Sequence, residues 1–128
     1  METADRQIAG GPRYDPNKVL ALLNLGSSSV YLWTRESNHE VTVKLEWDLD
    51  DVAALVKAAI QNGRFIGSEW CAQKPGGPVA ACDAYSLKNI EWNAAAKRDL
   101  TVEYYVKFAI SLTGAILLIC SCHTSRHA

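Results

Sequence analysis

The apolar residues of this chain recur at helical spacing in two segments. The first segment begins at Asp15, a residue type that caps helix N-termini, and continues through Pro16 to Gly26, which ends it. The second begins at Asp48 and ends at Asn62, and its apolar positions lie three or four residues apart. We expect these positions to face a sheet, and they are Val52, Leu55, Val56, Ala59 and Ile60.

Runs rich in β-branched and aromatic residues, several of them alternating with polar residues, predict strands. They cover residues 30–34, 41–47, 64–72, 79–87, 100–111 and 115–123. The first two are expected to pair as a hairpin and the last four to form an antiparallel meander. The pattern predicts an α+β fold in which two helices pack on an antiparallel sheet of about four strands, with an extra N-terminal hairpin. Residues 1–13 are interpreted as a flexible tail and residues 14–126 as a single domain.

Charge and hydropathy narrow the functional classes. The net charge is −1 and the pI is about 6.3, so the molecule as a whole is not a polycation. Residues 1–56 carry a net charge of −4 and residues 57–128 one of +3, which favours an anion-binding face on the C-terminal half. The longest apolar run has six residues, against about 20 for a membrane-spanning helix. Because no secretory signal is evident, we predict a cytoplasmic protein with no membrane partner.

The four cysteines are predicted to be reduced and to bind no metal. One residue separates Cys120 from Cys122, whereas common zinc knuckles have two residues between paired cysteines. In a regular strand these two would share one face and His123 would lie on the other, so one ion could not easily reach all three. Cys71 and Cys82 flank a turn and are interpreted as packing residues that face each other across a hairpin. No cofactor is expected.

Three polar residues of the C-terminal half suit phosphate chemistry. His123 follows the last apolar run, where an imidazole can serve as a general acid or base. Tyr105 and Lys107 share one face of their strand, so the phenol can donate or stack while the ammonium offsets phosphate charge. Counting outward from the turn at residues 113–114 places Tyr105 close to His123 across the ladder. A surface histidine and an ordinary solvated face remain the alternatives.

Several short segments, taken in order along the chain, resemble one known family. They are residues 12–15 (PRYD), 64–68 (RFIGS), 82–85 (CDAY), 105–108 (YVKF) and 117–123 (LLICSCH). Together they are similar to the MqsR family of bacterial toxins, which are RelE-like mRNA interferases of type II toxin–antitoxin systems. The resemblance extends to residue 126 and implies a RelE-like fold and metal-independent cleavage of mRNA. It also implies two partners, single-stranded RNA and a cognate antitoxin.

Three positions depart from the site pattern of that family. The family has a lysine where this chain has Gly67, a glutamine where it has Cys82, and a lysine where it has His123. The family's tyrosine is kept as Tyr105. Either catalysis uses a different set of groups here, with His123 as base or acid, or the chain has little ribonuclease activity. Whether it is an enzyme therefore stays open at this stage.

The residues and the resemblance together give one candidate set and two alternative functions. The catalytic candidates are His123, Tyr105 and Lys107. The RNA-binding candidates are Arg126, Tyr85, Ser68 and Arg64. The first alternative is a non-catalytic interaction protein, such as an inhibitor or an antitoxin-like binder on the same small fold. The second is an RNA-binding module that does not cleave.

Overall fold

A computed structural model describes residues 6–125, and within this range the chain forms three α-helices and one six-stranded sheet. The helices are α1 (Pro16–Asn24), α2 (Arg35–His39) and α3 (Leu49–Asn62). The strands are β1 (Gln7–Ile8), β2 (Val30–Leu32), β3 (Arg64–Ala72), β4 (Val79–Asn93), β5 (Arg98–Ile110) and β6 (Leu117–Thr124). The α+β class is confirmed, but the sheet has more strands than the four or so expected, and a third helix is present.

The sheet is mixed, and its strand order is β1-β3-β4-β5-β6-β2. Neighbouring strands in the described range are antiparallel except for β2 and β6, which run parallel. The predicted antiparallel meander of the last four strands is therefore confirmed. No helix among residues 6–125 is long and apolar enough to cross a membrane.

Helix α3 begins where the sequence predicts, because its first turn is capped from both sides. The Asp48 carboxylate accepts a hydrogen bond from the Asp51 backbone N–H, and the Asp51 carboxylate accepts one from the Asp48 N–H. After the helix, Gly63 allows a close approach to β4, since a Cβ there would lie 2.3 Å from the Ser86 carbonyl oxygen. The predicted helix face is confirmed: Val52, Leu55, Val56 and Ala59 are buried and Ile60 is partly buried.

The main core lies between the helices and one face of the sheet, here called the helix face. Large side chains from β5 and β6 fill it, and Phe108 stacks on Tyr85 with ring centroids 5.7 Å apart. On β6, Leu117 and Ile119, the residues one position away from Leu118, belong to the same core as the buried residues of α3. The buried apolar residues of β5 and β6 on this face are Tyr104, Val106, Phe108, Leu117, Ile119 and Cys122.

The predicted strand over residues 41–47 is wrong. The chain instead forms α2 and then a π-helical turn at Glu40–Lys44. Thr34 and Ser37 start this helix with a reciprocal capping box, in which the Ser37 N–H donates to the Thr34 hydroxyl. The alternation in this segment does not mark one buried face, because Val41 is fully buried whereas Val43 is 60% exposed.

The expected connection over residues 89–99 is also wrong, because β4 and β5 continue as a long antiparallel hairpin. Their pairing extends to Asn93 and Arg98, and the Asn93 side chain accepts a hydrogen bond from the Ala96 N–H in the turn. From Lys88 to Glu103 the two strands pair with each other and extend past the paired ends of β3 and β6. Residues 88–103 are called the hairpin arm below.

The segment interpreted as a flexible N-terminal tail contains β1, which pairs with β3 at the edge of the sheet. A buried carboxylate also holds the chain just after this segment. Asp83, fully buried on β4, accepts hydrogen bonds from the backbone N–H groups of Arg13 and Tyr14 and from the Ser68 hydroxyl. Three donors around one buried carboxylate offset its desolvation and fix the approach to α1.

The sheet curls strongly toward the face opposite the helices. In a flat sheet β3 and β6, three strand spacings apart, would be separated by about 14 Å. Yet the sulfur atoms of Cys71 on β3 and Cys120 on β6 lie within 4.8 Å of each other. The Gln73 side chain beyond β3 also donates to the Trp33 carbonyl beyond β2. Bulges in β3 and β6 contribute the extra bend, and they leave a concave face.

Candidate active site on the concave face of the sheet

Strand register gathers the phosphate-handling candidates on the concave face. Arg64 pairs with Ser86, Ser86 with Tyr105, and Tyr105 with His123, so that four strands contribute to one row. The Tyr105 and His123 ring centroids are 5.6 Å apart. The predicted closeness of these two side chains is therefore confirmed. Their catalytic roles stay predictions.

The next row of the sheet completes a shallow pocket of about 300 Å³. Lys107 on β5 pairs with Ser121 on β6, one step along from the Tyr105–His123 pair. The pocket therefore combines an imidazole, a phenol, an ammonium, a carboxylate and a hydroxyl on one concave surface. The polar residues that line it are Glu69, Tyr105, Lys107, Ser121 and His123.

A bulge in β6 places His123 on this face. The β5–β6 register shifts between Lys107, opposite Ser121, and Phe108, opposite Ile119, so Cys120 is the extra residue. The expectation that Cys120 and Cys122 share a face is wrong for this reason. Cys122 joins the helix-face core, whereas Cys120 lies with the concave-face residues. A bulge shifts every later residue by one position, so strict alternation fails beyond it.

The imidazole of His123 is held in one tautomer. Its Nδ1 lies 2.7 Å from the Thr124 carbonyl oxygen. A carbonyl oxygen can only accept, so Nδ1 carries the proton and donates it to this bond. In the neutral ring Nε2 then has the free lone pair, which is the form that a general base requires.

The phenol of Tyr105 is protonated and hydrogen-bonded on the same face. Its hydroxyl donates to the Glu103 carboxylate at 3.0 Å. This hydrogen bond is the main reason that the pKa of Tyr105 is raised above its ordinary value, and the nearby Arg64 partly opposes the rise. The group therefore remains a proton donor at neutral pH.

Lys107 is paired with an acidic residue that the sequence reasoning missed. Its Nζ lies 2.5 Å from a Glu69 carboxylate oxygen, and both side chains are about one-quarter exposed. Burial lowers the pKa of Lys107, but the Glu69 hydrogen bond and nearby negative charge outweigh it, so that the pKa is raised. The alternation of β3 could have indicated that Glu69 lies on this face, because it puts Glu69 on the same face as Cys71.

The four RNA-binding candidates separate in the structure. Arg64 is exposed at the edge of the Tyr105 row, where an RNA phosphate could reach it. Tyr85 is 5% exposed and stacks within the helix-face core, so its ring offers little surface, and its role as an RNA contact stays a prediction. Ser68 is equally buried and donates its hydroxyl hydrogen to Asp83, and its role also stays a prediction. Arg126 lies outside the described residues.

The curl of the sheet also brings three cysteines together, which the spacing of the sequence did not predict. The sulfurs of Cys71, Cys82 and Cys120 all lie within 4.8 Å of one another. They come from β3, β4 and β6, and we call them the thiol cluster. Cys71 and Cys82 share a face of the β3–β4 hairpin but are not directly opposite as predicted, since Cys71 pairs with Ala80 and Cys82 with Glu69. The third member, Cys120, lies 38 residues beyond Cys82.

Comparison with protein-family models, with curated proteins and with solved structures finds no match to this chain. The resemblance to RelE-like toxins therefore stays a prediction from the short segments that carry it. Function is therefore inferred from the geometry of the concave face.

Proposed function

We propose that the concave face binds single-stranded RNA and cleaves it without a metal ion. The observation that carries this proposal is the Tyr105–His123 pair beside Lys107 in one pocket. Metal-free cleavage needs a base for the 2′ hydroxyl, a donor for the leaving oxygen and a cation for the phosphate. The three side chains offer one group for each of these needs.

His123 acts as the general base in this scheme. Its Nε2 takes the proton of the ribose 2′ hydroxyl, and the 2′ oxygen attacks the adjacent phosphorus. The bond from phosphorus to the 5′ oxygen breaks, which leaves a 2′,3′-cyclic phosphate on one fragment. The Nδ1–H bond to Thr124 holds the ring so that Nε2 is the atom presented to the substrate.

Tyr105 supplies the proton for the leaving 5′ oxygen, so the second fragment ends in a 5′ hydroxyl. For this step the phenol exchanges its hydrogen bond with Glu103 for one with the substrate. The partly exposed ring also offers a surface on which an unpaired base can stack. Stacking favours single-stranded RNA, because its bases are unpaired and can turn toward an aromatic side chain.

Lys107 and Arg64 supply the positive charge for the phosphates. An ammonium has three N–H donors, and Glu69 occupies one of them, so Lys107 can hold a phosphate oxygen while it stays ion-paired. Arg64 lies one strand beyond Ser86 in the same row and suits a neighbouring phosphate. In the proposed biological setting, a cognate antitoxin binds this chain, as in the MqsR family of toxins that it resembles.

The His123→Ala variant tests this proposal. Cleavage of a mixed RNA pool in the presence of EDTA should fall by about 10²–10⁴-fold, the scale for losing a general acid or base. His39→Ala is the matched control, since His39 is exposed on α2, away from the pocket, and its loss should leave the cleavage rate unchanged. Fragments ending in 2′,3′-cyclic phosphate and 5′ hydroxyl would support the assigned roles.

Two results would contradict the proposal. If His123→Ala cleaves at the rate of the unmodified protein, His123 is not the base. If the unmodified protein binds RNA but leaves it intact, the concave face is a binding surface without catalysis.

The hairpin arm favours a non-catalytic interaction protein as the second candidate function. Ile90 and Trp92 on this arm are 73% and 66% exposed, although both are large apolar residues. Such residues are common at the centre of protein interfaces. This function predicts that the purified chain neither binds nor cleaves RNA.

A further inference from the structure

The thiol cluster has a geometry that a metal ion could use. Cys82 Sγ and Cys120 Sγ are 2.9 Å apart, and all three sulfurs lie within 4.8 Å of one another. Zinc–thiolate bonds of about 2.3 Å in a tetrahedral site place the sulfurs about 3.8 Å apart, which falls between these two distances. Small rotations of the three side chains would therefore suffice to surround one ion.

Packing alone does not account for the cluster as well as it accounts for Cys122. Cys122 is a single buried thiol among apolar side chains on the helix face. The other three converge from three different strands onto one point, and Cys82 and Cys120 are buried there with Ala109 between their strands. Three soft ligands at one point are the donor set that thiophilic cations select.

A disulfide fits the arrangement less well than a metal ion. Cys82 and Cys120 lie on β4 and β6, with β5 between them. Their sulfurs are 2.9 Å apart, which is longer than a disulfide bond of about 2.0 Å. A disulfide would also leave the third cysteine unpaired, while an ion uses all three.

A charged group lies beside the cluster. The Lys107 ammonium is held there by its ion pair with Glu69, which is the register partner of Cys82. Cys71 is also the half-exposed member, so the site has a route to solvent for ion entry and for a water ligand. Three thiolates with a divalent ion leave one negative charge, which Lys107 can offset.

We propose that Cys71, Cys82 and Cys120 bind one thiophilic d¹⁰ cation, Zn²⁺ or Cu⁺. The ion joins β3, β4 and β6 and so holds the curl of the sheet. The ion does not touch His123, because the thiols belong to the end of the concave face beyond Lys107. Zinc prefers four ligands, so a Zn²⁺ ion here would bind one water molecule in addition to the three sulfurs.

The test uses the untagged, fully reduced protein and has separate Zn²⁺ and Cu⁺ arms. Native mass spectrometry should find one ion per chain in at least one arm, and competition with a chelator gives its affinity. Replacing Cys71, Cys82 or Cys120 with Ser should lower that affinity by at least about 100-fold, more than the loss of an outer partner costs. Cys122→Ser is the matched control and should bind like the unmodified protein, since its sulfur is on the other face.

A second measurement on the unmodified protein avoids variants that fold poorly. The Co²⁺ complex should show a thiolate-to-metal charge-transfer band whose intensity indicates three sulfur ligands. Bound ion should also raise the melting temperature, because it stabilises only the folded chain. The absence of stoichiometric binding in both arms, an equal loss in Cys122→Ser, or a Cys82–Cys120 disulfide in the reduced preparation would each overturn the proposal.

Discussion

Two adjacent tyrosines on β5 show how differently the two faces of the sheet are built. Tyr104 is 6% exposed on the helix face, where its ring lies 5.4 Å from that of Trp47 and its hydroxyl donates to Glu91. Tyr105 lies on the concave face, half-buried, against His123. One face therefore uses its aromatic ring to hold the fold, while the other leaves its ring half-exposed in the pocket.

The same contrast runs along both strands. On the helix face, β5 and β6 contribute large apolar side chains that the helices cover. On the concave face they contribute an ammonium, an imidazole, a hydroxyl and a thiol, and none of the helices described between residues 6 and 125 lines the pocket that the first three groups form. Substitutions on the first face should therefore act on stability, and those on the second face on binding and chemistry.

The largest effect is expected from Phe108→Ala. Phe108 is 1% exposed and stacked on Tyr85, so its loss should lower the free energy of unfolding by about 3–5 kcal/mol. The adjacent Lys107→Ala on the concave face should cost less than about 1 kcal/mol, because its ion pair is partly exposed. Urea unfolding of both variants measures the difference. Equal losses would show that the concave face also holds the core together.

The helix face could be predicted from the sequence, because the signals that define it lie close together along the chain. The Asp48–Asp51 capping box and the apolar spacing of α3 are contained within fifteen residues. The concave face depends on a bulge at Cys120, whose position no residue type marks. Counting from the turn still placed Tyr105 close to His123, but strict alternation wrongly put Cys120 and Cys122 on one face.

The misinterpreted segments failed for a similar reason. The Thr34–Ser37 capping box uses Ser at the position where Glu or Gln is the recognised signal, so the start of α2 was hidden. The thiol cluster could not be predicted at all from spacing. It requires the curl of the sheet, which brings together strands that are distant both in sequence and in sheet order.

A pair of conservative variants should separate the two tyrosines with a moderate effect. Tyr104→Phe removes a hydrogen bond to a carboxylate and should cost about 1–2 kcal/mol of stability while leaving RNA cleavage unchanged. Tyr105→Phe should lower the cleavage rate and leave the free energy of unfolding close to that of the unmodified protein. If Tyr105→Phe destabilises the chain as much as Tyr104→Phe, the two faces do not divide these roles.

The pH dependence of stability gives a further test of Tyr104. Burial, together with the Glu91 hydrogen bond, raises the pKa of Tyr104 above its ordinary value of 10.0. Above pH 10 the unfolded chain releases this proton while the folded chain keeps it, so stability falls as the pH rises. Tyr104→Phe has no such proton, and its stability should approach that of the unmodified protein above pH 10. A constant difference across this range, measured by urea unfolding, would contradict the assignment.

The smallest effect concerns the negative charge inside the pocket. Glu69 holds Lys107 at 2.5 Å, and its carboxylate repels any phosphate that Lys107 attracts. Glu69→Gln should therefore tighten RNA binding by about 3- to 10-fold, since one repulsion at contact distance in a water-like environment amounts to about 1 kcal/mol. Glu46→Gln makes the same charge change at an exposed loop position and should have no comparable effect.

Filter binding at low and high salt measures both variants, and the gain in affinity of Glu69→Gln should shrink as salt screens the repulsion. Weaker binding by Glu69→Gln would mean that Glu69 positions Lys107 for the phosphate rather than competing for it, and the concave face would then depend on the ion pair as a unit.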